Sequence, residues 1–276
     1  MALTVNTNIA SLNAQRNLSS SQSSMNTALQ RLSSGLRVNS AKDDAAGLAI
    51  AERMNAQVRG LTVGIRNAGA GISLAQTAEG ALGSVTESLQ RMRELAVQSA
   101  NATNGTADRT SLNAEYAQLG TEIGRVLAGT EFNGLAVLAG DAGSQDFQVG
   151  ANNTANDRIS VTTSNMSTNS DVTAVTGGNV STVSAAQTAM DNIDTALDTI
   201  NAERATLGAA QSRIETAIRS LETTRENTAA ARGRIVDADF AAETANLTRS
   251  QILQQAGVAM LSQANALPQS ALALLQ

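Results

Sequence analysis

The chain has 276 residues, a formal net charge of −5, 1% aromatic residues and a single proline. Because cysteine and histidine are both absent, disulfides, thiolate nucleophiles and zinc sites built on these residues are excluded and the commonest general base is missing, so we expect no enzyme and no cofactor. The acidic balance gives no basic surface for nucleic acid, no apolar stretch approaches the ~18 residues of a membrane span, and the scarcity of proline permits very long helices.

The two ends of the chain are poor in charge. Residues 1 to 39 contain no acidic residue, and residues 241 to 276 contain only Glu243 and Arg249. Both ends have apolar residues at helical spacing. Because a solvated helix face usually carries charge, we expect the two terminal helices to pair with each other and with copies of themselves. The residues predicted to drive this assembly are Val5, Ile9, Leu12, Leu29, Leu32, Phe240, Leu253, Met260, Leu267 and Leu274.

A capping-box spacing between Ser40 and Asp43 predicts that a long second helix begins near Asp43. Its apolar residues recur every seven positions, which indicates a left-handed coiled-coil seam. Its glycines suit either close helix approach or local flexibility, and the pattern does not distinguish the two. For Arg37, Lys42, Asp43 and Asp44, an ordinary solvated helix start and inter-subunit ion pairs are equally open.

The middle of the chain changes character twice. The turn signal Asn104-Gly105 precedes a third, shorter helix that ends near Gly129. The apolar period then changes to two, which predicts a small β-hairpin region at about 131 to 161. Residues 162 to 183 are rich in Ser, Thr, Asn and Gly, so we expect a short variable loop that buries little core.

A long return helix follows, and its heptad pattern is the most regular in the chain. Arg204 and Gln211 interrupt one apolar row as polar seam residues, which can fix register at some cost in stability. Asp237 and Asp239 suit capping of the last helix far better than metal binding, because no third ligand is nearby. Pro268 is expected to bend or loosen the final turns. The seam residues predicted for the two long helices are Leu61, Leu82, Leu89, Ile193, Ile200, Leu207, Ile214 and Leu221.

The order of the elements indicates a chain that goes out, turns round and comes back. We therefore predict a mainly α fold, a long antiparallel coiled-coil helical rod with a small β-hairpin region at the turn-around end. The paired terminal helices are assigned to residues 1–42 and 236–276. The helical rod domain is assigned to 43–161 and 184–235.

Four long strings resemble bacterial flagellin. They are LSSGLRVNSAKDDAAGLAIA, LQRMRELAVQSAN, EFNGLAVLAG and ADFAAETANLTRSQILQQAGVAMLSQAN, which begin at residues 32, 89, 131 and 238. The resemblance implies a minimal flagellin, with the short loop in place of outer domains, that self-assembles into the flagellar filament used for swimming. It implies an extracellular protein exported unfolded through a type III channel. The implied partners are further copies of the chain, an export chaperone on the C-terminal helix, the filament cap and the hook–filament junction proteins.

The same resemblance implies recognition by host flagellin receptors. Gln90, Arg91, Leu95 and Glu115 match positions at which flagellins contact the animal receptor. Leu119 departs from the basic residue that is usual in strongly recognised members, which would weaken recognition. Packing within the filament is an alternative role for these residues.

Two other classes of protein fit the sequence less well than a filament subunit. A hook–filament junction protein has similar ends, but the unbroken match of the C-terminal string argues against it. A surface adhesin or immune-modulating protein would need a substantial exposed domain, and no stretch of the sequence supplies one.

Overall fold

The structure is a computed structural model that describes the backbone of residues 7 to 273 and the side chains of residues 7 to 266. Within this range the α-helices are α1 (Ile9–Ser34), α2 (Ala45–Ala100), α3 (Thr106–Gly129), α4 (Ser170–Thr176), α5 (Val183–Val236) and α6 (Phe240–Ala273). The strands in the same range are β1 (Glu131–Phe132), β2 (Leu135–Ala136), β3 (Ser144–Gln148) and β4 (Arg158–Thr162). The predicted mainly α fold with a small antiparallel strand region is confirmed.

The chain divides into two compact units. A terminal unit lies within Met1–Ala56 and Asn227–Gln276, and a central unit comprises Gln57–Glu226. The borders fall inside α2 and α5, so the heptad seam predicted for these two helices belongs mainly to the central unit.

The hydrophobic core of the central unit is built mainly from aliphatic side chains. Residues seven apart on a helix return to the same face, and the apolar faces of α2 and α5 join one cluster. Tyr116 of α3 is completely buried in it, whereas Leu61 lies just below the surface and Leu221 is half-buried. The other predicted seam residues are completely buried and are Leu82, Leu89, Ile193, Ile200, Leu207 and Ile214.

Two antiparallel strand pairs follow α3. In the first, Phe132 lies opposite Leu135, so Asn133 and Gly134 form a two-residue turn. Both turn residues have positive φ angles, 53° and 80°, a conformation that Asn and Gly adopt more readily than other residues. In the second pair, β3 runs antiparallel to β4 over five residues of each strand.

The segment at 162–183 is not the loop that its composition predicted. It contains α4, and Val175 and Val180 are buried in the core. The Tyr116 hydroxyl donates to the Val175 carbonyl (3.3 Å), and the Ser99 hydroxyl donates to the Val180 carbonyl (2.5 Å). The prediction was wrong because it rested on the average composition of the segment and not on the positions of its few apolar residues. A few valines at the right positions, with backbone carbonyls satisfied by α2 and α3, are enough to fix a polar segment.

Two glycines of α2 allow the chain after β3 to lie close against the helix. A Cβ added at Gly60 would lie 2.7 Å from the Cβ of Ala151, and one added at Gly64 would collide with the carbonyl oxygen of Val149. A Cβ at Gly80 would meet nothing within 4 Å. Close approach therefore explains some of the glycines in α2 and leaves others without a packing reason.

In the terminal unit, the link between α1 and α2 lies beside the link between α5 and α6. The Arg37 N–H donates to the Val236 carbonyl (2.6 Å), and the Ala238 N–H donates to the Gly35 carbonyl (2.9 Å). These two hydrogen bonds pair the link between α1 and α2 with the link between α5 and α6. They therefore fix the start of α6 relative to the end of α1.

The start of α2 differs from the prediction by two residues. Asp44 caps the helix, because its Oδ1 accepts from the Gly47 N–H (2.8 Å). Asp43 instead closes the preceding turn, where its Oδ2 accepts from the Ser40 N–H (2.9 Å) and hydroxyl (3.0 Å). Both carboxylates thus have partners within their own chain, which favours the ordinary helix start over inter-subunit ion pairs for these two residues.

Candidate assembly surface

The helices α1 and α6 pack against each other, as the predicted pairing of the two ends requires. The contact buries small and polar side chains, because only these let two helices approach closely. Gly257 of α6 illustrates the fit, since a Cβ added there would lie 3.3 Å from Cδ1 of Leu18. The buried residues of the two helices include Ser11, Ala28, Ser250 and Ala264.

Polar bonds link the two helices along their length. The Asn8 side chain donates to the Ala264 carbonyl (2.7 Å), while its own Oδ1 accepts from the Ser11 N–H and caps α1. Further along, the Gln254 amide donates to Oε1 of Gln22 (2.7 Å). These polar contacts fix the orientation of α1 relative to α6, but they remove little apolar surface from water. They therefore contribute more to the specificity of the helix pairing than to its stability.

Glu243 is a buried carboxylate in this contact. It forms an ion pair with Arg31 at 2.9 Å and accepts a hydrogen bond from the Asn246 amide (2.9 Å). These two bonds, that of Asn246 first and that of Arg31 second, hold the pKa of Glu243 below its usual value. Asp239 caps the same helix by accepting from the Ala241 N–H (2.9 Å), the role that the sequence favoured over metal binding.

Most of the large apolar side chains of α1 and α6, unlike Leu18, point away from their mutual contact. Ile9 is 67% exposed and Met260 is 64% exposed, whereas Leu32 is half-buried. The other predicted assembly residues that are exposed are Leu12, Leu29, Phe240 and Leu253. The packing of α1 on α6 therefore leaves most of the predicted assembly residues uncovered.

Three of the predicted assembly residues lie wholly or partly outside the described residues. Val5 and Leu274 lie outside the described residues, and only the backbone of Leu267 is described. The helix α6 continues past Pro268 to Ala273, so the proline does not end it.

Sequence reasoning missed two exposed apolar residues of α6. Ile252 and Val258 are both more than half exposed. They lie outside the seven-residue row of Leu253 and Met260, and the prediction for α6 used only the large apolar residues of that row. The signal that would have found them is the low charge of the whole helix, which implies that more than one face is covered.

An open groove of about 600 Å³ runs between α1 and α6. Its walls combine small residues with larger apolar ones, including Ala14, Leu18, Leu253, Gly257 and Met260. A groove of this kind suits an apolar helix from another molecule better than a small polar ligand.

The residues matched to receptor contacts lie in the central unit. Gln90, Arg91 and Glu115 are exposed, and Arg91 binds Glu115 at 2.8 Å. Leu95 is only 1% exposed, because it faces the core between α2 and its neighbours. The prediction that Leu95 contacts a receptor is therefore wrong for this conformation. Leu119 is half-buried against the same core.

The described residues are expected to hold no metal ion and no membrane span, and their polar seam residues are expected to be structural. Residues 7 to 266 contain no group of three or more carboxylates that could hold a metal ion. No helix of the described part is long and apolar enough to span a bilayer. The polar seam residues have structural partners, since the Gln211 amide donates to Glu79 (3.1 Å) and Arg204 lies 3.8 Å from the same carboxylate.

Comparison with known proteins gives a consistent result. A family model described as the bacterial flagellin N-terminal helical region matches residues 5–143, and one described as the C-terminal helical region matches residues 190–275. The chain is 44% identical over 272 residues to a flagellin of Halalkalibacterium halodurans, covering 99% of each chain. It is 43% identical over 315 aligned positions to a flagellin of Xenorhabdus nematophila, covering 100% of each.

A solved structure agrees with these relatives. The chain resembles the crystal structure of Bacillus cereus flagellin with a TM-score of 0.50 and 33% sequence identity. The match covers 60% of this chain and 94% of that one.

Proposed function

Because this chain belongs to the bacterial flagellin family, we propose that it is the structural subunit of an extracellular flagellar filament that serves swimming. The observation that carries the proposal is the exposed apolar surface of α1 and α6. We call this surface the assembly face and define it by Ile9, Leu12, Leu29, Phe240, Ile252, Leu253, Val258 and Met260. A monomeric protein rarely exposes so many large apolar side chains on one pair of helices.

The driving force for assembly is the removal of this face from water. Burying a Leu or Met side chain from full exposure contributes about 1.5–3 kcal/mol. Leu253 is 51% and Met260 64% exposed, so assembly would recover roughly half of that or more for each. Several such residues per subunit, each covered by a neighbouring copy, would offset the cost of immobilising the subunit. The polar bonds between α1 and α6 then set which faces point outward. The work of the protein is mechanical and requires no catalysis.

Substitutions on α6 test this proposal. The double variant Leu253→Ser and Met260→Ser removes two residues of the assembly face. The control Gln251→Ser and Gln255→Ser places two serines on exposed positions of the same helix. We expect both variants to keep wild-type helix content by circular dichroism, and only the first to lose filaments in the electron microscope. Filaments at wild-type yield from the first variant would refute the proposal.

The same face is the surface that we propose for the export partners. Before export, Leu253 and Met260 of α6 would be exposed to other proteins, so a chaperone bound to the C-terminal helix would prevent early assembly. The filament cap and the hook–filament junction proteins would meet the same surface at the two ends of the polymer. Pull-down of a chaperone by the wild-type chain, but not by the Leu253→Ser and Met260→Ser variant, would support this part.

Recognition by host receptors is proposed for the exposed residues Gln90, Arg91 and Glu115. Their support is exposure together with the ion pair that holds Arg91 in place. Arg91→Ala should weaken receptor binding, whereas Arg125→Ala, which removes an exposed ion-paired arginine of α3, should not. Equal receptor binding by the two variants would contradict the proposal that these exposed residues contact the receptor.

A further inference from the structure

The sequence contains two Asn-Gly pairs, and the structure places them in different situations. Asn104-Gly105 precedes α3, and Asn133-Gly134 forms the turn between β1 and β2. In an Asn-Gly pair, the glycine nitrogen can attack the asparagine side-chain carbonyl carbon, because glycine has no Cβ to obstruct the approach. Whether a given pair reacts depends on whether both groups are free to move.

The Asn104-Gly105 pair is held at both reacting groups. The Asn104 side-chain amide donates to the Gln98 carbonyl at 2.5 Å, and the Gly105 N–H donates to Oδ2 of Asp108 at 2.9 Å. The Asn104 backbone N–H also donates to the Asn101 carbonyl (3.2 Å). An attack by the Gly105 nitrogen would break the bond to Asp108, which closes the first turn of α3.

The Asn133-Gly134 pair is free at both groups. Both residues are exposed, and within the described part of the chain neither the Asn133 side chain nor the Gly134 N–H has a hydrogen-bond partner.

We propose that Asn133-Gly134 is a site of spontaneous covalent modification and that Asn104-Gly105 is protected. The Gly134 nitrogen bonds to Cγ of Asn133 and loses its proton, while the bond from Cγ to Nδ2 breaks and ammonia leaves. Water then adds to one of the two carbonyl carbons of the resulting five-membered imide. Opening on one side gives aspartate, and opening on the other gives isoaspartate.

The modification would alter the first hairpin. Isoaspartate adds one methylene to the backbone of the turn and therefore disturbs the pairing of Phe132 with Leu135. The strand leads directly into Val137 and Leu138, which are buried in the core. Each event also adds one negative charge, so older protein molecules would carry a loosened and more acidic turn.

Peptide mapping of the full chain tests the proposal. Trypsin separates the two pairs into peptides 94–109 and 126–158, and tandem mass spectrometry assigns the gain of one mass unit to a residue. After incubation of the folded protein in warm, mildly alkaline buffer, we expect Asn133 to convert several times faster than Asn104. In the urea-unfolded chain the two rates should become similar. Equal rates in the folded protein, or earlier conversion of Asn104, would overturn the proposal.

The variant Asp108→Ala tests the mechanism of protection. It frees the Gly105 N–H without touching the first hairpin, so conversion of Asn104 should rise towards that of Asn133 while the rate at Asn133 stays unchanged. An unchanged rate at Asn104 would show that the hydrogen bond does not protect the pair and would also overturn the proposal.

Discussion

At the scale of single residues, the central unit depends on a few side chains that a composition count would pass over. Tyr116 is the only tyrosine in the chain, and it is completely buried with its hydroxyl bonded to the Val175 carbonyl. It thereby connects α3 to α4. Burial favours the neutral phenol and raises the pKa of Tyr116 to about 12 from an ordinary value of 10.0.

The pKa of Tyr116 predicts a loss of stability at alkaline pH. Below pH 10 the phenol is neutral in both states, and between about pH 10 and pH 12 only the unfolded state ionises. The free energy of unfolding should therefore fall by up to about 3 kcal/mol across this window. Tyr116→Phe should cost about 1 kcal/mol at neutral pH and should lack this alkaline loss. Urea unfolding at neutral and alkaline pH measures the cost of the substitution and the alkaline loss of stability. If the free energy of unfolding fell in parallel for variant and wild type, Tyr116 would not be the group responsible.

The glycines of α2 give a second prediction at this scale. Gly64→Ala places a methyl group against the Val149 carbonyl and should destabilise the central unit by about 1–3 kcal/mol. Gly80→Ala, at an exposed helical position in open space, should stabilise the protein by up to ~1 kcal/mol. Thermal unfolding of the two variants measures both changes in stability. A change of the same sign in both variants would show that the close approach at Gly64 is unimportant.

At the scale of elements, the sequence predicted the helices much better than the segments between them. The heptad rows of α2 and α5 are long and regular, so the predicted period matched the helices that form. The cap of α2 was misplaced because both Asp43 and Asp44 can accept backbone hydrogen bonds. The helix α4 was missed because its stability comes from contacts with α2 and α3, and no local pattern records such contacts. Leu95 was assigned to receptor contact from the resemblance alone, and the sequence does not record that the packing of α2 buries it.

The pairing of α1 with α6 should depend on pH through Glu243. Its pKa is lowered by bonds from Asn246 and Arg31, so the stabilisation is present at neutral pH and is lost as pH falls below 4.5. Glu243→Gln should expose the backbone amides of α6 to faster hydrogen exchange at neutral pH and should flatten the acid dependence. Glu52→Gln, which removes an exposed carboxylate from the same unit, should behave like the wild type. Indistinguishable exchange in the two variants would contradict this role.

At the scale of the whole molecule, the two units use their apolar residues in opposite ways. The central unit buries its seam, and Leu82 and Ile193 are completely covered by their own chain. Within the terminal unit, α1 and α6 bury small and polar residues between them and leave most of their large apolar side chains exposed. The low charge of both ends could be recognised from the sequence. Which side chains face outward could not, because that depends on how α1 and α6 pack.

The central claim is that the assembly face becomes buried when copies of the chain polymerise. Methionine oxidation measures this directly, because Met260 belongs to the assembly face whereas Met92 and Met166 are buried in the central unit. In the monomer, a brief pulse of oxidant should convert Met260 rapidly to the sulfoxide and leave Met92 and Met166 largely unmodified. In the polymer, Met260 should be protected to the level of those two residues. Oxidation of Met260 at the same rate in monomer and polymer would contradict the account.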